Sequence, residues 1–236
     1  QSHPCCRKKH RSNKSLLFIM PSIAPHRAIT ATKMFRISAK GSFFRFVDSL
    51  KLSENAVTPL RRSFSYARMH GAASFIREKL DTHTSPSYGI IHEENEYIKS
   101  IFPDYHCNRL ERISFWRKHK SPSDMSNIDL IGYLILKNDS FFADSFLSID
   151  YIFESVFSDL PNTEIYIPHP KKIEILIDKK NFSVQGKIYS QQNSVTKTCA
   201  QVALYSIISS YIAETPSFVK INEFAKVDKK RVLSYF

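Results

Sequence analysis

The sequence predicts an α+β chain: antiparallel β-sheet elements, then one buried central helix, with a disordered basic arm in front. Three observations carry this. From Leu130 onward, apolar residues fall in runs and alternations of strand length. After Thr198, apolar residues cover most of a helical circumference. Finally, the charge is lopsided: residues 1–70 hold 14 Lys+Arg against Asp48 and Glu54, whereas residues 71–236 are neutral. The expected division is therefore a basic, disordered arm or non-native extension at 1–70 and an α+β domain at 71–236.

The arm has no acidic residue before Asp48, and serines recur through it. Acid-poor, basic, serine-containing N-termini are also the composition of organelle transit peptides. Leu16 to Ile23 after Arg7-Lys8-Lys9 also suits the apolar part of a secretion signal, but the run is short and broken by Pro21. No apolar run of about 18 residues occurs, which excludes a membrane-spanning helix on length. A reporter fused to residues 1–50 distinguishes a targeting segment, which relocates it, from a plain arm, which leaves it diffuse.

Along the domain, Ala72–Leu80 and Glu93–Ile101 are expected to be short helices, the second stopped by Pro103. Arg109–Trp116 alternates partly and is expected to be a strand. Arg117-Lys-His-Lys120 before Ser-Pro suits a solvated turn. Leu130–Leu136 is a compact apolar run and a buried strand. Ile149–Phe157 fits a strand or a helix, with Tyr151, Phe153 and Phe157 in the core. Thr163–Ile167 alternates. Ile173–Ile177, a loop at Asp178–Asn181 and Phe182–Tyr189 form an antiparallel hairpin, in which Gly186 suggests a bulge. His169, between Pro168 and Pro170, belongs to a rigid extended loop. Thr198 caps the helix that follows, and Pro216 closes it. Ile221–Ala225 and Lys229–Leu233 suit two short helices.

Several chemistries are disfavoured. Five scattered glycines cannot build a phosphate-binding loop or dinucleotide fingerprint, so no cofactor is expected. Cys5, Cys6, Cys107 and Cys199 do not form a disulfide framework, which points to a reducing compartment such as the cytoplasm. No Cys-x2-Cys or His-x3-His pair supplies metal-ligand spacing, and none of these residues is assigned a metal. Because the domain itself is neutral, nucleic acid is a disfavoured partner. A helix-turn-helix over Phe218–Phe236 has only Lys226, Lys229, Lys230 and Arg231 behind it.

Cys199 lies in the first turn of the predicted helix, where unpaired N–H groups and the helix dipole favour a thiolate. Gln191 and Gln192 precede it and could donate to a developing oxyanion. The order strand, Gln191-Gln192, then Cys199-Ala-Gln-Val-Ala-Leu204 resembles the start of papain-like cysteine peptidase domains. Among these it is similar to the leader peptidases of bacteriocin exporters and their bacterial relatives. The resemblance covers about residues 182–213. It implies a thiol protease or other hydrolase acting on peptide or amide bonds, with Cys199 as nucleophile and Gln192 in the oxyanion hole. The usual glutamine position, six residues before the cysteine, holds Asn193 here, while Gln191 stands at eight, so both remain alternatives. The family's histidine and its Asp or Asn partner have no counterpart after Cys199, so the expectation is an incomplete papain-like domain, C-terminally truncated and inactive as given.

The competing expectation is a non-catalytic α+β interaction module whose basic arm binds an acidic partner. Removing residues 1–70 would then abolish a salt-sensitive interaction.

Overall fold

A computed structural model describes residues 32–37, 40–80, 95–96, 98–158, 171–189, 191, 203–205, 207–208 and 220–221. The described chain is largely β. Seven strands form one antiparallel sheet: β1 (Lys33–Arg36), β2 (Ser74–Lys79), β3 (His106–Trp116), β4 (Leu130–Phe142), β5 (Phe146–Ser158), β6 (Lys171–Ile177) and β7 (Lys180–Tyr189). Their order is β1-β2-β3-β4-β5-β7-β6. Two helices, α1 (Lys40–Ser49) and α2 (Glu54–Met69), lie between β1 and β2 in sequence and cover one face.

That helical layer corrects the boundary expected at residue 70. Residues 33–69 belong to the fold. Ala56, Leu60, Phe64 and Ala67 recur along one stripe of α2, while Arg61, Arg62 and Arg68 occupy its solvent side. The basic excess that suggested an arm is partly the outer face of an amphipathic helix. Under it, the ring of Phe75 on β2 stacks on Phe35 at 4.8 Å and meets Phe46 at 4.6 Å and Phe64 at 5.2 Å. Deleting a buried ring of this kind, as in Phe64→Ala, costs ~3–5 kcal/mol.

α2 ends in a Schellman motif. Gly71, at φ +85°, donates to the Arg68 carbonyl, and Ala72 donates to that of Ala67. The chain then enters β2. The helix expected over Ala72–Leu80 is therefore a strand: Ser74-Phe-Ile-Arg-Glu-Lys79 pairs with β1 on one side and β3 on the other. Central position in a sheet overrides a short segment's helical composition.

The β3–β4–β5 meander forms from the runs read as strands, each extended beyond its apolar centre. Ile149–Phe157, open between strand and helix in the sequence, is strand. Three register shifts bend the meander, one of which leaves Phe153 as an extra residue opposite the Ile135–Leu136 step. Phe153 and Glu154 therefore serve the same face.

β7 joins β5 only through Ser155–Ser158 and Gly186–Tyr189. The rest of the β6–β7 hairpin crosses over the sheet face opposite the helices. There Phe182 meets Trp116 edge-on at 4.8 Å, and Lys180 Nζ donates to the carbonyls of Ser123 and Met125. The hairpin roofs the second core. Its loop is tighter than expected, since Ile177 pairs with Lys180 and only Asp178 (φ 46°) and Lys179 (φ 64°) turn. Two successive left-handed residues make the turn that matches strand twist.

Gly186 is not a bulge, because its register with Lys171 and Ser158 runs through without a shift. A Cβ there would lie 2.3 Å from the Phe157 carbonyl oxygen, so glycine permits close strand approach.

The helix expected to be buried is described at five positions. Ala203, Leu204 and Ile207 are exposed, Leu204 at 42% and Ile207 at 57%, while Tyr205 and Ile208 pack with Ile188 and Ile221. Burial between two layers does not hold there, because packing engages one side only. Residues 95–96 and 98–101 are helical, as expected for Glu93–Ile101. Thr163–Ile167, His169 and the segment Lys226–Leu233 lie outside the described residues.

Candidate functional site

Of the four residues proposed for a thiol site, Cys199, Gln192 and Asn193 lie outside the described residues. Gln191 is described, and its amide is already engaged. Its backbone N–H donates to the Ile152 carbonyl at 2.9 Å, and its Oε1 accepts from the Ile152 N–H at 3.0 Å. Its Nε2 donates to the Asn55 carbonyl at 2.7 Å. The reason lies in α2: Pro59 has no N–H to give to the carbonyl four residues back, which is that of Asn55. Gln191 supplies the missing donor and ties the end of β7 to α2 and β5.

The basic surface is the second candidate. Residues 32–70 hold eight Lys+Arg against Asp48 and Glu54. Of these cations, Lys33, Arg36, Arg45, Lys51, Arg61, Arg62 and Arg68 are exposed. Asp48 pairs with Arg61 at 3.2 Å. At one end of the sheet the helical layer meets a further basic run. Arg36 lies opposite Ser74, whose hydroxyl donates to the Lys118 carbonyl, and Arg117 donates from Nη1 to the His70 carbonyl at the end of α2. Arg36, Arg68, Arg117, Lys118, His119 and Lys120 thus converge. Asp129 is the buried acid there. Lys118 at 2.7 Å and the Ser126 N–H hold its carboxyl down at about 2. Exposed apolar side chains are interspersed: Met69 is 70% exposed and Ile128 77%, while Phe44, at 43%, lies under the Arg61 guanidinium. The turn expected at 117–120 is solvated, as read.

Beneath the β6–β7 hairpin, a polar row runs through the apolar core. Register places Glu78 opposite Arg112, Arg112 opposite Ile135 and Ile135 opposite Glu154, across β2, β3, β4 and β5. Arg112 is 2% exposed. It holds Glu78 Oε2 from Nε at 3.0 Å and from Nη2 at 2.9 Å, and Nη2 also donates to the Leu176 carbonyl on β6. Arg112 Nη1 is buried without a hydrogen-bond partner. The Tyr133 hydroxyl donates to Glu154. Burial pushes the Glu154 carboxyl up to about 7, with Tyr133 and Arg112 drawing it partly back. Burial likewise raises Glu78, opposed chiefly by Arg112.

Further along the same face, Lys137 is fully buried. Its Nζ donates to Asp139 Oδ2 at 2.8 Å and to the Tyr151 hydroxyl at 3.0 Å, while Tyr151 donates to Asp139 at 2.6 Å. The Tyr105 hydroxyl lies 2.8 Å from Asp139 Oδ1. On the helix face, a cleft of about 520 Å³ lies where β2 stops and β3 continues, lined by Arg77, Lys79, Cys107 and Arg109 among others. Its arginines are committed. Arg77 forks onto Glu111 at 2.7–3.0 Å, and Arg109 reaches Asp150 and the Leu50 carbonyl.

Sequence reasoning missed the helical basic face, although the Ala56–Leu60–Phe64–Ala67 stripe signalled it. It also missed Arg112 and Glu154, whose only sequence trace is a charge inside an apolar run. Among the described residues, no group of His, Cys, Asp and Glu could hold a metal ion, and no helix is long and apolar enough to cross a membrane. Comparison of the chain with protein-family models, curated proteins and solved structures finds no match.

Proposed function

We propose that the chain is an interaction module that docks an acidic protein partner on the α1–α2 layer and the adjoining β3 end. The observation that carries this is the exposed, folded cation set of residues 32–70, continued by Arg117–Lys120. Such a field steers an oppositely charged partner and makes its capture salt-dependent. Arginine interleaved with exposed Met69, Ile128 and Phe44 is the mixture enriched at protein interfaces, and it favours a protein surface over a nucleic acid.

The test uses fluorescent poly-glutamate as probe, with Arg62→Glu plus Arg68→Glu as the variant, since both side chains are solvent-exposed. The expected result is at least a tenfold loss of affinity and a shallower dependence on salt. Unchanged affinity overturns the assignment of the face. Equal or tighter wild-type binding of an oligonucleotide overturns the protein partner.

A second reading is a papain-like thiol hydrolase centred on Cys199, supported by the residues from Gln191 to Leu204 alone. With Gln191 tied to Asn55 and Ile152, the oxyanion role in that reading falls to Gln192 or Asn193. Iodoacetamide at neutral pH should then label Cys199 well ahead of Cys107. Slower or equal labelling removes the reading. Cys107 serves as the standard because it is part-buried and lines a cleft whose arginines are paired with carboxylates.

A further inference from the structure

We propose that the Glu78–Arg112–Glu154–Tyr133 cluster is a proton-controlled clasp that holds the β6–β7 hairpin shut while Glu154 is protonated. Each element around the cluster contributes one group. β2 supplies Glu78, β3 Arg112, β4 Tyr133, β5 Glu154, and the β6–β7 turn Asp178, whose N–H donates to Glu78 while its charge opposes ionisation there. The hairpin holds the row at two points, through the Asp178 N–H on Glu78 and through the Leu176 carbonyl, which accepts from Arg112. Lys180 of β7 is turned to the Ser123 and Met125 carbonyls, and Lys137 of β4 to Asp139.

One guanidinium thus hydrogen-bonds Glu78 and a carbonyl of the hairpin and acts on Glu154 through its charge. With Glu154 neutral, Arg112 is shared only between Glu78 and Leu176. When Glu154 gives its proton to water, a second buried anion draws on the same guanidinium, whose charge already acts on it. Opening the hairpin lets water reach Glu154 and returns it to an ordinary carboxylate. The geometry makes the hairpin the element that yields, because four residue pairs join it to β5 whereas ten and eleven pairs join the strands of the meander.

The raised carboxyl fixes the direction and the window. Closure is fully favoured below about 4.5, and opening becomes easier by up to about tenfold per pH unit until about 7, then levels. The experiment is amide hydrogen exchange on the full chain from pH 4.5 to 8.5, corrected for the intrinsic rate. Protection along the β5–β7 seam, where Gly186–Tyr189 pair with Ser155–Ser158, should fall with pH to about 7 and then flatten, while that at Ile113 and Leu134 does not follow. In Glu154→Gln, which keeps an acceptor for Tyr133, hairpin protection should be flat. A flat wild-type profile, the same slope in Glu154→Gln, or the same slope at Ile113 overturns the proposal. Should the variant fail to fold, the infrared band of a buried protonated carboxyl in the wild-type protein serves instead. It should titrate with the same midpoint as the loss of protection, and a different midpoint is equally fatal.

Discussion

Removing the Gln191 side chain should destabilise the fold, and the size of the loss should depend on residue 59. Gln191→Ala strips a donor from the Asn55 carbonyl and an acceptor from the Ile152 N–H. Each lost hydrogen bond is worth ~0.5–1.5 kcal/mol, with more when the abandoned group is buried, so a total of ~2–3 kcal/mol is expected. In a Pro59→Ala background, residue 59 regains an N–H that can serve the Asn55 carbonyl. There Gln191→Ala should cost ~1–2 kcal/mol, leaving a coupling of ~1 kcal/mol in the double-mutant cycle. Urea unfolding of the four proteins, followed by tryptophan fluorescence of the buried Trp116, measures every corner. Additive losses would refute the idea that Gln191 substitutes for the donor Pro59 lacks. A Gln191→Ala protein as stable as wild type would return Gln191 to the list of residues available for oxyanion chemistry.

Three further outcomes follow from the backbone and the charges. Lys179 holds φ 64° without being glycine, so Lys179→Gly should stabilise the hairpin by ~1 kcal/mol in thermal melts. Gly186→Ala would press a methyl against the Phe157 carbonyl, and loss of at least ~2 kcal/mol, with weakened exchange protection along the β5–β7 seam, is expected. Asp129 should titrate near 2 by NMR. Being depressed, it contributes stability that is present above its ordinary 3.8 and lost as pH falls through about 2, and Lys118→Ala should move the midpoint back up.

How much of this was legible from the chain depended on whether the signal was local. Leu130–Leu136 and the Ile173–Tyr189 hairpin announce themselves through alternation and turn residues, and they fold accordingly. Ser74–Lys79 misleads because its strand character comes from two neighbours, β1 and β3, that are distant in sequence. The α1–α2 layer was hidden by its own charge: the eye follows Arg61, Arg62 and Arg68 and passes over the buried residues between them. The polar row could not be read at all. Nothing local says that Glu78, Arg112 and Glu154, spread over 76 positions in the numbering, would fall in one row across four strands. The candidate thiol site was legible as a pattern, but only Gln191 of it falls within the described residues, and there the local reading missed the obligation that Pro59 creates.

The buried amine of Lys137 equips the molecule with a chemical clock. Lys137 has no exposed surface, and its nitrogen is wedged between Asp139 and Tyr151. An acylating reagent such as an N-hydroxysuccinimide ester can reach it only when the cover on this face of the sheet, Tyr105 included, moves aside. Surface lysines such as Lys172 should be derivatised at once, and the lag before Lys137 follows, read by peptide mass spectrometry, times the opening of that cover.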